Sequence, residues 1–139
     1  MIEGLFDVYN LGTAKSLRVE GIDICGKTGT AENYTKINGK RVKLQDHSIF
    51  VAFAPKDNPK IAIAVFVENG YWGARWAGPM ASLMIEKYLR GKITRTDLEK
   101  RMLEGSLQGE YAKYTGKKAD SIFFLKPKKV EIDSTEVEN

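Results

Sequence analysis

The sequence predicts a mixed α/β fold of the α+β kind: an antiparallel sheet flanked by helices. Three observations predict it. Residues 48–54 (SIFVAFA) and 61–67 (IAIAVFV) are short apolar runs rich in β-branched and aromatic residues, the composition of strands. The link between them, Pro55 to Lys60, is too short for a parallel crossover, which takes about a dozen residues or more, so the two strands pair antiparallel. A helical pattern then begins at Pro79.

Taken in order, residues 1–10 read as a short helix with Leu5, Phe6 and Tyr9 on one face, broken by Gly12-Thr13-Ala14. Residues 22–28 read as a strand, because Ile22, Ile24 and Cys25 form an apolar run. Asn38-Gly39 lies between residues 34–37 and 41–44; both turn positions of such a hairpin need positive φ, so a small projecting hairpin is expected. Residues 48–54 and 61–67 look apolar on both faces and are expected to be central strands covered on both sides. After Pro79, Ala81, Met84, Ile85 and Tyr88 fall at helical spacing and Gly91 ends the helix, which should pack across the strand pair with its methionines as core filler. Thr94-Arg95-Thr96-Asp97 resembles a capping box for a second helix over about residues 95–113. Residues 115–139 are rich in Lys and Glu apart from the apolar patch 122–125. The expected division is 1–91 and 92–139.

Composition narrows the function. The chain has 139 residues, enough for one core, and 42% hydrophobic with 29% charged residues excludes an intrinsically disordered composition. The net charge is +4, but no basic helix interleaved with aromatics is present, so nucleic acid is not an expected partner. The single cysteine, Cys25, cannot form an internal disulfide and reads as a small buried hydrophobe. The lone His47 has no second His or Cys near it in sequence, so no metal is expected; it reads as a structural hydrogen-bonding residue. No cofactor is expected. Trp72 and Trp76 read as caps on the core. No apolar stretch reaches 18 residues and no signal peptide is visible, so the chain as given is expected to be soluble.

The chemistry concentrates in Cys25-Gly26-Lys27-Thr28-Gly29-Thr30-Ala31-Glu32. An extended segment of this kind offers one ammonium, two hydroxyls and backbone N–H groups to an anionic acyl substrate, and its glycines let a ligand lie close to the backbone. The same stretch also matches the phosphate-loop pattern G-x-x-x-x-G-K-[ST] over residues 21–28. That alternative, a nucleotide-binding site, requires a helix starting at Lys27-Thr28. Ile22, Ile24 and Cys25 prefer a strand, and Gly29 stands where the helix would begin.

Context favours another family. Gly12-Thr13-Ala14, then residues 26–32, then Asp46-His47-Ser48-Ile49-Phe50-Val51-Ala52-Phe53-Ala54-Pro55, residues 62–65 and 67–70, and Gly78-Pro79 follow in an order that resembles the C-terminal part of the transpeptidase domain of class B penicillin-binding proteins, in particular the penicillin-binding protein 2 group. The resemblance covers about residues 1–91. It implies a partial β-lactamase/transpeptidase-like fold, with the Lys-Thr-Gly strand bordering the active-site cleft. It further implies that Lys27 and Thr30 are catalytic and that Thr28, Gly29 and Thr30 bind substrate. Lys27 would stabilise charge near the nucleophilic serine, the Thr28 and Thr30 hydroxyls would hold a carboxylate, and the Thr30 N–H would be one oxyanion donor. The implied partners are the peptidoglycan stem peptide, β-lactams and the cell-elongation machinery. The implied location is the inner membrane, with the catalytic domain on the periplasmic side.

The family's other two motifs are absent from these 139 residues: no Ser stands three residues before a Lys, and no Ser stands two before an Asn. The nucleophile is therefore expected upstream of Met1, and the chain by itself is expected to be inactive. A non-catalytic module that self-associates over its unpaired surface is the competing expectation.

Overall fold

The computed structural model describes residues 2–12 and 14–107. Helix α1 spans Ile2–Asn10 and is followed by a 3-10 turn at Lys15–Leu17. Strand β1 (Cys25–Ala31) leads into a two-stranded ribbon, β2 (Tyr34–Ile37) and β3 (Lys40–Lys43). Strands β4 (His47–Ala54) and β5 (Ile61–Val67) follow, then helices α2 (Ala77–Arg90) and α3 (Thr96–Glu104). The main sheet has the order β1-β4-β5, antiparallel throughout, as the short link predicts. The motif strand lies three residues later than expected: residues 22–24 are not in it, and it continues to Ala31. The Asn38-Gly39 turn forms as expected, with φ of 52° and 76°.

In an antiparallel pair, residues directly opposite share a face. One face of the sheet carries Ser48, Phe50, Ala52 and Ala54 from β4, all buried, opposite Ile61, Ile63, Val65 and Val67 of β5. Helix α2 packs on this face through Ala77, Ala81 and Ile85. Tyr9 of α1 joins the same core, its ring 6.4 Å from Phe50 and its hydroxyl donating to the Leu17 carbonyl.

The opposite face corrects the expectation of strands covered on both sides. Val51 is 46% and Phe66 55% exposed, and Ala62 and Ala64 are exposed as well. Among the described residues only the α1 end reaches it, where Leu5, Cys25, Val51, Phe53 and Ala64 line an open apolar hollow of about 370 Å³. The apolar character of both faces is real, but these residues contain no second layer to cover the far side.

The α2 stripe also differs from the reading. Ala81 and Ile85 are buried, whereas Met84 and Tyr88 are 55% and 63% exposed. The buried arc turns instead toward Gly78, Ser82, Glu86 and Leu89, one helical step around, so Met84 is not core filler. Gly91 ends the helix at φ 75°, its N–H donating to the Lys87 carbonyl, as expected of a left-handed cap. The second helix ends at Glu104, because Gly105 adopts an extended conformation (φ −64°, ψ 140°). Its expected capping box does not form. Both the Thr94 hydroxyl and its N–H are given to Glu86 instead. The expected features at residues 108–139 lie outside the described residues.

Glu86 is the hub of this corner. It has no exposure, and its carboxylate also takes the Arg95 Nε at 2.9 Å. Arg95 in turn donates to the Leu17 carbonyl and the Ser82 hydroxyl, each at 3.2 Å. Burial alone would raise the Glu86 pKa. The hydrogen bonds from Thr94 and Arg95, with the Arg95 charge, outweigh burial and hold the carboxyl below its usual value.

Candidate active site

Strand β1 is an edge strand of the main sheet among the described residues. Its pairing with β4 fixes where each motif side chain stands: Lys27 opposite Val51, Thr28 opposite Phe50, Gly29 opposite Ile49 and Thr30 opposite Ser48. Period-two alternation therefore divides the motif. Lys27 and Gly29 belong to the open face, and Thr28 and Thr30 to the face packed on α2. The motif also lies on an edge strand, where every second residue turns its backbone N–H and C=O away from the ladder. Lys27 and Thr30 are exposed, while Thr28 and Gly29 are half-buried. The Lys27 ammonium donates to the Thr28 carbonyl at 2.8 Å, which folds it back toward its own strand.

No helix begins at Lys27-Thr28: the chain stays extended to Ala31. The phosphate-loop alternative fails on this point, since its anion cradle is built from helix N-terminal amides.

The segment from Asn69 to Trp76 closes the α2 side of the motif. Gly73 sits so close that a Cβ there would stand 2.3 Å from the Ile49 carbonyl oxygen and 2.9 Å from the Thr28 Cβ. Ser48, fully buried, holds the segment down: its hydroxyl donates to the Trp72 carbonyl at 2.9 Å and accepts the Ala77 N–H at 3.1 Å. Tyr71 has φ 69°, a region that a bulky residue rarely occupies. The Arg75 guanidinium lies 4.1 Å from the centre of the Tyr71 ring. Trp72 does not cap the core as the sequence suggested, being 55% exposed; Trp76 is partly buried and meets Gly105. Sequence reasoning missed Ser48 and Gly73 as the parts that set this distance. Neither belongs to a spaced motif; the register places Ser48, and the path of the loop before α2 places Gly73.

His47 opens β4 as a structural residue. Its Nδ1 accepts the Asn69 N–H at 3.1 Å and its ring lies 4.9 Å from the Phe66 ring, tilted by 41°. Cys25 is buried, and burial raises its thiol pKa, which suits a packing role and not a nucleophile. The open hollow beside Cys25 lies at the other end of β1 from Thr30 and is lined almost wholly by apolar groups, so it offers little to orient a polar substrate.

Comparison with known proteins settles the family. The model of the penicillin binding protein transpeptidase domain matches residues 1–86. The chain belongs to this transpeptidase family. It is 44% identical over 80 residues to the peptidoglycan D,D-transpeptidase MrdA of Acinetobacter baumannii, covering 52% of this chain and 12% of that protein. It is 33% identical over 104 residues to MrdA of Haemophilus influenzae, covering 68% of this chain and 16% of that one. These relatives are of the penicillin-binding protein 2 type. Among solved structures, an imipenem acyl-enzyme complex of penicillin-binding protein A from M. tuberculosis superimposes with a TM-score of 0.52 at 34% identity, covering 63% of this chain and 18% of that one. The chain thus spans less than a fifth of the length of these family members. The mixed α/β architecture with an antiparallel sheet is the one the family resemblance implied. No described helix is long and apolar enough to cross a membrane.

Proposed function

We propose that this chain is the C-terminal part of the transpeptidase domain of a serine-type peptidoglycan D,D-transpeptidase. Residues 1–91 are the C-terminal portion of that domain, and residues 92–139 have no role assigned in it. The whole enzyme binds β-lactams and cross-links stem peptides. It is anchored in the inner membrane with its catalytic domain on the periplasmic side, where it works with the elongation machinery. The observation that carries the reading is an extended, edge-placed Lys27-Thr28-Gly29-Thr30 in a chain of this family.

In this reading the serine Oγ comes from a part of the enzyme outside these 139 residues. It attacks the carbonyl of the penultimate D-Ala. The C–N bond to the terminal D-Ala breaks, and that amine leaves carrying a proton. An amine of a neighbouring strand then takes the acyl group and frees the serine. Lys27 stabilises the charge of the serine and its proton relay. The Thr28 and Thr30 hydroxyls hold the donor carboxylate, Gly29 leaves room for it beside the strand, and the Thr30 N–H serves the oxyanion; losing such a donor costs about 3–4 kcal/mol of barrier. Lys27→Ala in the full-length enzyme is expected to abolish labelling by a fluorescent penicillin, and labelling at the normal rate would refute the role of Lys27. An S-x-x-K followed by S-x-N in the gene upstream of Met1 is the companion expectation.

A second reading concerns the chain alone. The open apolar face with Val51 and Phe66 favours a non-catalytic module that covers this face by self-association. Mass spectrometry of the isolated chain after incubation with penicillin is expected to show no covalent adduct, and an adduct would overturn this reading.

A further inference from the structure

The β2–β3 ribbon carries a feature the transpeptidase reading does not use. Among the described residues it pairs with no other strand, and it leaves from the end of β1 and returns at the start of β4. Its register sets Tyr34 opposite Lys43 and Lys36 opposite Arg41. By alternation, these four residues share one face: three cations and an aromatic ring. Residues 34–43 contain no acid. Lys43 is met from the flanks, 3.6 Å from Glu32 and 3.8 Å from Asp46, and the Asp46 and then the Glu32 charge raise its pKa. Lys36 and Arg41 have no anionic partner among the described residues. Arg41 lies 3.7 Å over the Tyr34 ring, which orders its guanidinium on the same face as Lys36.

Like charges directly opposite each other destabilise a strand pair, and a lone two-stranded ribbon is marginal to begin with. The pairing of Lys36 with Arg41 therefore does not help the ribbon fold. It does match an anion: a guanidinium and an ammonium at paired positions of one face suit a carboxylate. The next cross-strand pair on this face lies two residues on, about 7 Å, which is also the spacing of alternate side chains on an extended peptide. We propose that this ribbon face binds an extended, carboxylate-bearing peptide next to the motif strand, with Lys36 and Arg41 as its anchors. That the peptide is a second stem-peptide strand rests on the function proposed above; the binding itself does not.

The test is fluorescence anisotropy of the 139-residue chain with labelled hexaglutamate. Hexaglutamine, oligothymidylate and phosphatidylglycerol vesicles are run beside it. Hexaglutamate is expected to bind best, with affinity falling at high salt and about fivefold in the double variant Lys36→Gln/Arg41→Gln, as two exposed ion pairs predict. The swap Lys36→Arg/Arg41→Lys is expected to retain binding. Circular dichroism of the double variant is expected to show wild-type structure, since the substitution removes a repulsion. Equal binding of hexaglutamine, a preference for the oligonucleotide or the vesicles, or undiminished binding by the double variant overturns the proposal. Penicillin labelling of the full-length enzyme separates the two readings. The double variant should label normally, whereas a wild-type enzyme that does not label refutes the transpeptidase function without touching the peptide-binding result.

Discussion

The two faces of the main sheet are built from the same three strands, yet one is a core and the other a surface. Phe50 and Phe66 make the contrast concrete. They sit on neighbouring strands, one residue apart in register, since Phe50 pairs with Val65 and Ile49 with Phe66. Phe50 is fully buried under α2, and Phe66 is 55% exposed. Residue type does not separate them; what separates them is which face a helix covers. Apolar patterning reports what a surface is suited to meet, and only the assembled layers report whether it has met it.

Three measurements on the isolated chain sharpen this contrast. The largest effect is expected for Phe50→Ala, a loss of about 4 kcal/mol in urea denaturation, from transfer and cavity together. A loss under 1 kcal/mol would mean that the α2 face is not the packed one. Next comes Glu86→Ala, expected to cost about 3 kcal/mol by leaving Arg95 without its buried partner. Its pH dependence has a definite sign. The folded carboxyl sits below its usual 4.5, so its contribution is present above that value and is lost as pH falls through the folded pKa. Wild type should therefore lose stability on acidification below about pH 4.5 more steeply than Glu86→Gln; parallel curves would remove Glu86 as the cause. The smallest effect is Phe66→Ala, expected to cost about 1 kcal/mol, mostly its contact with the His47 ring. A cost equal to that of Phe50 would show the open face to be covered in solution.

The same contrast explains how much was legible in the sequence. The strands at 48–54 and 61–67, their antiparallel pairing, the Asn38-Gly39 turn and the Gly91 cap all rest on local chemistry, and each is found. The expectation that failed, strands covered on both faces, needed a layer that local patterning does not specify. Met84 and Tyr88 were misplaced for a related reason: α2 turned its stripe toward Glu86 to reach Arg95, a residue beyond its own end. The Thr94 box was lost to the same carboxylate. At the site, Lys27-Thr28-Gly29-Thr30 was legible as an extended element, but its division between two faces comes from register and its contact with Gly73 from the path of the loop before α2.

Gly73 has one more implication. With no room for a methyl group between residue 73 and the Ile49 carbonyl, the spacing between that loop and the motif strand is set by a single hydrogen atom. Any heavier substituent must move the strand, the loop or the Ser48 tether that joins them. Variation at this position is thus a means of shifting the strand at Thr28 from behind, with Lys27, Thr28 and Thr30 left as they were.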